Sequence, residues 1–247
     1  MAIVDRPAGA LNGAGLARTA LERHPDGMLR REEFTEERLD RISRVARELL
    51  GYRLLSAEER QASLGAVLSA VPRRRGVWIF GYGSLMWNPA LKVAETRAAT
   101  VHGYHRWFCL DMHLGRGSPD RPGLMLGLDR GGSCHGMAHR IAPQDVESEL
   151  EILWRREMLS GAYQPRWVTA YGKRGALRAL TFVVDRRHDR YAGKLPEQEV
   201  VMRIALAEGH IGTNRQYLFK TVEHLDQLGI DDGPMHRLAR LVRDRTG

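Results

Sequence analysis

The stretch Val77-Trp78-Ile79-Phe80-Gly81-Tyr82-Gly83-Ser84-Leu85-Met86-Trp87-Asn88-Pro89 decides how the rest of the chain is read. It opens with four apolar residues, a run short enough for a buried strand rather than a helix. Gly81 and Gly83 then bracket a tyrosine, and Ser84 follows. Two glycines this close permit positive φ and let a ligand approach the amides, and Ser84 adds a hydroxyl that donates or accepts. A strand ending in a bare, amide-rich turn suits a small anionic or zwitterionic group. The same glycines also fit a tight turn with no ligand. Two better-known phosphate loops fail here. The dinucleotide fingerprint needs a glycine where Met86 stands, and the P-loop needs a lysine that does not follow.

Outward from this stretch the composition is that of an ordinary globular protein. The chain has 247 residues, 43% of them apolar and 28% charged, enough for one domain with an extension or for two small domains. No apolar run reaches the length of a membrane span, and the first twenty residues lack the apolar block of a secretory signal. Cys109 and Cys134 are too few for a disulfide framework, so a reducing cytoplasmic setting is expected. The net charge of +8 raises nucleic acid as a partner. The arginines are scattered, however, with one short block at Arg73-Arg74-Arg75, and a solvated basic surface accounts for them better; attraction of acidic small molecules to a cleft is the alternative.

Residues 1–30 are rich in Gly, Ala and Pro without a clear period, and a loosely docked segment is expected there. Apolar residues then recur helically through Phe34, Leu39, Ile42, Val45, Ala46 and Leu49, up to Gly51 at a helix end. Ser56-Ala-Glu-Glu59 reads as a capping box for a second helix through Leu68. Residues 1–75 are therefore expected to be a helical extension, with the arginine block as its hinge to the core, 76–247. Strands are expected at Val77–Phe80, Ala98–Leu110, Leu124–Leu128, Ser133–Ile141, Arg166–Tyr171 and Ala176–Val184, with turns such as Gly115–Pro119 and Arg130-Gly-Gly132. Helices are expected at Pro143–Leu159, Pro196–Ala207, Asn214–Leu228 and Pro234–Asp244. The pattern is α+β, with a mixed or antiparallel sheet curled toward a barrel.

The helix after Pro143 carries the sharpest chemical signal. Val146, Leu150, Leu153 and Trp154 make its apolar stripe, and Glu157 lies eleven residues past Val146. Eleven steps of about 100° return it to within about 20° of the same direction, toward the core. Glu147, Glu149, Glu151, Arg155 and Arg156 fall away from that line to varying degrees. Burial and the negative helix end both raise the pKa of Glu157, which suits general acid–base work near neutral pH. Pairing with Arg155 or Arg156 at the core edge is the plain alternative. His102 and His105 sit on opposite faces of a regular strand, and Cys134-His135 alternates likewise, so no metal is expected. Cys109 or Cys134 as a nucleophile competes with the commoner fate of a buried inert thiol. Tyr217 reads as core from its helix position.

Phe80-Gly-Tyr-Gly-Ser-Leu-Met-Trp-Asn-Pro89, Val101–Phe108, Gly115–Pro119, Leu128–Gly136, Arg156-Glu157 with Gly161–Val168, and Gly212–Leu218 together resemble the ChaC family of γ-glutamylcyclotransferases. The resemblance spans about Gly76 to Leu241. It implies that family's small curled sheet with packed helices, and cofactor-free cleavage of glutathione into 5-oxoproline and cysteinylglycine. It puts Glu157 at the catalytic glutamate, Ile79, Phe80, Gly81, Tyr82, Gly83, Ser84 and Leu85 in the γ-glutamyl-binding loop, and Tyr217 near the substrate. Two departures stand out: the shortest members lack the extension, and Glu157 and Tyr163 lie further apart than in some animal members. A non-catalytic γ-glutamyl or peptide binder and a basic nucleic-acid module are the readings from other classes.

Overall fold

The structure, a computed structural model, describes residues 28–71 and 75–247. The Gly- and Ala-rich start before Met28 and the arginines at 73 and 74, where a hinge is expected, lie outside the described residues. After a single 3-10 turn at Arg31–Glu33 comes helix α1, Glu36–Leu50. The Thr35 side chain accepts from the Arg38 amide at its start, and Gly51 closes it at φ 70°, as the sequence pattern requires. Helix α2, Ala57–Leu68, carries the expected capping box, Ser56 and Glu59 each satisfying the other's backbone amide.

Five strands then close into a barrel in the order β1-β3-β2-β4-β5. They are β1 Val77–Gly81, β2 Glu95–Met112, β3 Gly123–Ile141, β4 Tyr163–Gly172 and β5 Gly175–Val184. β1 runs antiparallel to β3 (Phe80 opposite Ala138) and parallel to β5 (Ile79 opposite Leu180), which makes the sheet mixed. β3 is one long strand where two were expected. The pair Gly131-Gly132 sits at positive φ opposite a register shift between His102 and Tyr104, with Gly103 at φ 83° between them. The glycines thus bulge and bend a continuous ladder, where the sequence pattern suggested a turn. The β2–β3 connection is instead the loop holding Gly115–Pro119.

Helix α3, Val146–Glu157, lays Val146, Leu150, Leu153 and Trp154 against Val77, Ile79 and Phe182, and α2 adds Leu64 and Val67 to the same cluster. Helices α4 Glu197–Leu206, α5 Asn214–Gln227 and α6 Gly233–Thr246 cover another flank through Ile204, Leu218, Leu225 and Val242. Between α4 and α5 lies a two-stranded ribbon, Glu208–Gly209 with Gly212–Thr213. Among the described residues no helix is long and apolar enough to cross a membrane.

Candidate active site

The turn after β1 opens into a cavity of about 270 Å³ lined by Tyr82, Gly83, Ser84, Leu85, Glu157 and Tyr217, among others. The turn is braced from several sides. Ser84–Met86 forms a 3-10 turn, with the Met86 amide donating to the Gly83 carbonyl at 2.9 Å. Arg106, 5% exposed, donates to the Tyr82 carbonyl at 2.7 Å and pairs with Asp232 at 2.8 Å. His139 meets the Leu85 carbonyl at 2.9 Å.

Neither glycine of the turn takes a positive φ. What requires them is close approach. A Cβ at Gly81 would stand 2.8 Å from the Leu85 Cβ, and one at Gly83 would stand 2.9 Å from the Tyr217 hydroxyl. Gly83→Ala is therefore expected to cost about 1–3 kcal/mol through overpacking against a buried ring. Adding Tyr217→Phe should recover part of that loss, since it removes the atom the methyl meets. Urea titration of the two single variants and the double variant measures the coupling.

Ile79, Phe80 and Gly81, expected in the binding loop, do not line the cavity. Ile79 and Phe80 are fully buried in the barrel core, and Gly81 pairs with Met137 at the end of β1. The reason is strand alternation: Val77, Ile79 and Phe80 point into packed interior on the two faces, Trp78 is half-buried beneath Arg97, and the residues after Gly81 leave the ladder.

Glu157 ends α3 with its carboxylate on the cavity wall, 17% exposed and 2.9 Å from the Arg156 guanidinium. Burial raises its pKa above the ordinary glutamate range, and Arg156 opposes but does not cancel that effect. Three tyrosines stand close enough for the charge of Glu157 to raise each of them further: Tyr82, Tyr163 and Tyr217. Two of these hydroxyls are spent on backbone, Tyr82 on the Phe182 carbonyl at 2.8 Å and Tyr163 on the Leu126 carbonyl at 2.7 Å. The Tyr217 oxygen faces the Ser84 amide instead, and burial pushes its pKa up to about 12. Tyr217 is thus both core, at 5% exposed, and cavity wall.

Some residues of the site escape a reading of sequence patterns. Arg156, noted only as a partner for Glu157, ties the turn to the helix end. It donates to the Ser84 hydroxyl at 2.8 Å and to the Asn88 and Pro89 carbonyls at 2.5 and 3.1 Å. Arg116, from the β2–β3 loop, lines the cavity with its guanidinium 5.4 Å from the Tyr217 ring centre. Burial holds Arg116 below the usual arginine pKa. Glu149, placed away from the core by its angle, is 1% exposed. It pairs with Arg31 and accepts from the Lys92 amide at 2.9 Å, and these bonds outweigh burial to hold its pKa low. Residues of the N-terminal segment, including Phe34 and Tyr52, also reach the cavity, and no periodicity signals that.

Cys109 and Cys134 are buried and unpaired, and desolvation pushes both thiols up, Cys134 to about 11, which leaves little thiolate to act as a nucleophile. Among the described residues no three His, Cys, Asp or Glu side chains gather as a metal site.

Known proteins share this arrangement of strands and sequence. The model of the family described as "ChaC-like protein" matches residues 77–245. The glutathione-specific gamma-glutamylcyclotransferase of Escherichia coli is 45% identical over 191 residues, covering 77% of this chain and 83% of its own. The human glutathione-specific gamma-glutamylcyclotransferase 1 is 32% identical over 167 residues, covering 64% and 75%. The crystal structure of a yeast gamma-glutamyl cyclotransferase specific to glutathione superposes with a TM-score of 0.64, covering 69% of this chain and 96% of that one. At 21% identity this last likeness speaks for the fold. On its match through the whole barrel and the helices that follow, this chain belongs to the ChaC-like family.

Proposed function

We propose that this chain is a glutathione-specific γ-glutamylcyclotransferase. It closes the γ-glutamyl group of glutathione on itself and releases 5-oxoproline and cysteinylglycine. The observation that carries the reading is Glu157, a carboxyl of raised pKa on the wall of the cavity formed at the Tyr82–Leu85 turn. The 45% identity to an E. coli protein of that name supports it.

The chemistry follows from where the groups stand. The substrate's α-ammonium must lose a proton before its nitrogen can attack the γ-carbonyl carbon. Glu157 takes that proton and returns it to the cysteinyl nitrogen as the old C–N bond breaks. The second proton that the ring nitrogen sheds on closure passes by way of Glu157 to the freed amine. A carboxyl with a raised pKa is better matched to both transfers than an ordinary one. The turn from Tyr82 to Leu85, with Tyr217 against it, holds the γ-glutamyl chain folded so that nitrogen and carbonyl start near each other. Arg116 offers a buried cation for a substrate carboxylate. The Tyr217 hydroxyl, its oxygen facing the Ser84 amide, is placed to donate toward the carbonyl oxygen as charge builds there. We keep the division into an extension, 1–75, and a catalytic part, 76–247, as part of this proposal, supported by the family match that starts at Val77. A cytoplasmic setting belongs to it as well, since that is where glutathione is abundant and thiols stay reduced.

Incubation with glutathione, followed by chromatography of the products, tests the reading. Equal amounts of 5-oxoproline and cysteinylglycine, with no free glutamate, are expected. Free glutamate would mean hydrolysis, and binding without any product would mean a γ-glutamyl binder.

A further inference from the structure

Most of the cavity lining comes from the region the family model matches, but part of it does not. Phe34, Arg38, Leu39, Ile42, Tyr52 and Leu54 all line the same cavity, and all precede Val77, where the family match begins. The segment that carries them is fastened to the barrel at several points. Arg31 pairs with the buried Glu149, and Asn88 donates to the Leu29 carbonyl at 2.9 Å. The Leu55 amide donates to the Leu159 carbonyl at 2.9 Å, two residues beyond Glu157. Glu36 joins Arg60 of α2 and Arg155 of α3, the latter at 2.9 Å. The Arg156 guanidinium, which holds Glu157, lies 5.8 Å from the Phe34 ring centre. These ties cross from the extension to the catalytic machinery itself.

Charge in the cavity is unbalanced. Its lining carries six cationic side chains, Arg38, Arg116, Arg155, Arg156, Arg190 and Lys220, against two carboxylates, Glu33 and Glu157. An excess of this kind fits a substrate with two carboxylates better than one with a single carboxylate. Of the six, Arg38 alone comes from the N-terminal segment. Glu33, one 3-10 turn before α1, pairs with the Arg38 Nη1 at 2.7 Å and so fixes the direction of its guanidinium. The side chain is 17% exposed, which keeps a charge-assisted bond there from being fully screened. Leu39 and Ile42 on the same helix line the cavity beside Arg38, and Glu33 and Tyr52 are the other polar side chains of that segment in the lining.

We propose that residues 28–54 form the outer wall of the substrate cavity, and that Arg38 selects substrates whose leaving amine carries a second carboxylate. The inference rests on the cyclotransferase reading and extends it. The tripeptide's glycyl carboxylate is the group Arg38 would hold, while the γ-glutamyl end lies against the Tyr82–Leu85 turn. A planar guanidinium suits a bidentate bond to a carboxylate, which an amide in the same place cannot accept with charge.

The experiment measures 5-oxoproline release by the full chain as wild type, Arg38→Gln and Arg38→Lys. Two substrates are compared, glutathione and its C-terminal amide, in which the glycyl carboxylate is neutral. Wild type should favour the free acid by about tenfold in kcat/KM, the worth of one charge-assisted contact. Arg38→Gln should raise KM for the acid by about tenfold with kcat within about twofold, and remove the preference. Arg38→Lys should recover part of it. Equal use of acid and amide by wild type overturns the proposal, and this arm stands even if Arg38→Gln does not fold. A fall in kcat of equal size on both substrates in Arg38→Gln also overturns it, since that marks a structural role. No release by wild type from either substrate would instead defeat the cyclotransferase reading beneath it.

Discussion

Replacing Glu157 with glutamine is expected to lower kcat for 5-oxoproline release by about 10²–10⁴-fold, the usual worth of a positioned acid–base group. Glutamine keeps the shape and the reach of the side chain but has no site for the substrate's proton. Its amide can still accept from Arg156, so the end of α3 and the turn at Ser84 should stay in place. KM should therefore change little while kcat collapses, which separates lost chemistry from lost binding. Stability carries its own sign. A carboxyl whose folded pKa is raised is disfavoured in its ionised form by folding. The folded state is thus favoured below the ordinary glutamate pKa, and loses that advantage as pH rises through the raised one. Glu157→Gln removes that penalty, so at neutral pH the variant should be as stable as the wild type or more so. Thermal melts at pH 5 and pH 8 read this out, and a variant that unfolds more easily at pH 8 would contradict it.

Arg156→Met is expected to have the second largest effect, and to act on folding as well as on turnover. Arg156 is 10% exposed and joins Glu157, Ser84, Asn88 and Pro89 into one network. Removing one partner of a buried ion pair costs about 3–5 kcal/mol. Glu157 can take up a proton in response, so a loss of roughly 3 kcal/mol, or about 6–12 °C in Tm, is expected. Without the cation nothing opposes the desolvation of Glu157, and its pKa moves further up. The loss of stability should therefore be larger at pH 8 than at pH 5. The turn also loses its tether to the helix, and a displacement of about 1 Å at the reacting atoms costs on the order of 10²-fold in kcat/KM. Calorimetry at the two pH values and steady-state kinetics check both halves.

The sequence was most legible where a single periodicity applied. The alignment of Glu157 with Val146 through eleven helical steps placed it correctly, because α3 is regular up to its last residue. Gly51 and the capping box at Ser56 marked helix ends for the same reason, since they satisfy local backbone groups. Legibility ended where two periodicities or two distant segments meet. Glu149 lies about 60° from the apolar line of α3, and Arg31, 118 positions away, and the Lys92 amide make its burial tolerable. The glycines of β3 looked like a turn because their positive φ is common to turns and bulges, and the partner strand decides between the two. Gly83 looked like a torsional requirement and is a steric one, set by the hydroxyl of Tyr217 from a helix far along the chain. Arg38 and Arg116 reach the cavity from α1 and the β2–β3 loop, and no local pattern carries that information.

The central claim is that Glu157 moves the proton. The pH dependence of kcat/KM for 5-oxoproline release, from about pH 4 to about pH 9, tests it most directly, with wild type and Glu157→Gln measured side by side. The account predicts that wild-type activity falls on the acid side through a pKa above the ordinary glutamate value of about 4.3. The residual activity of the variant should lack that limb. The same acid limb in both proteins, or a wild-type limb at the ordinary glutamate value, would contradict it.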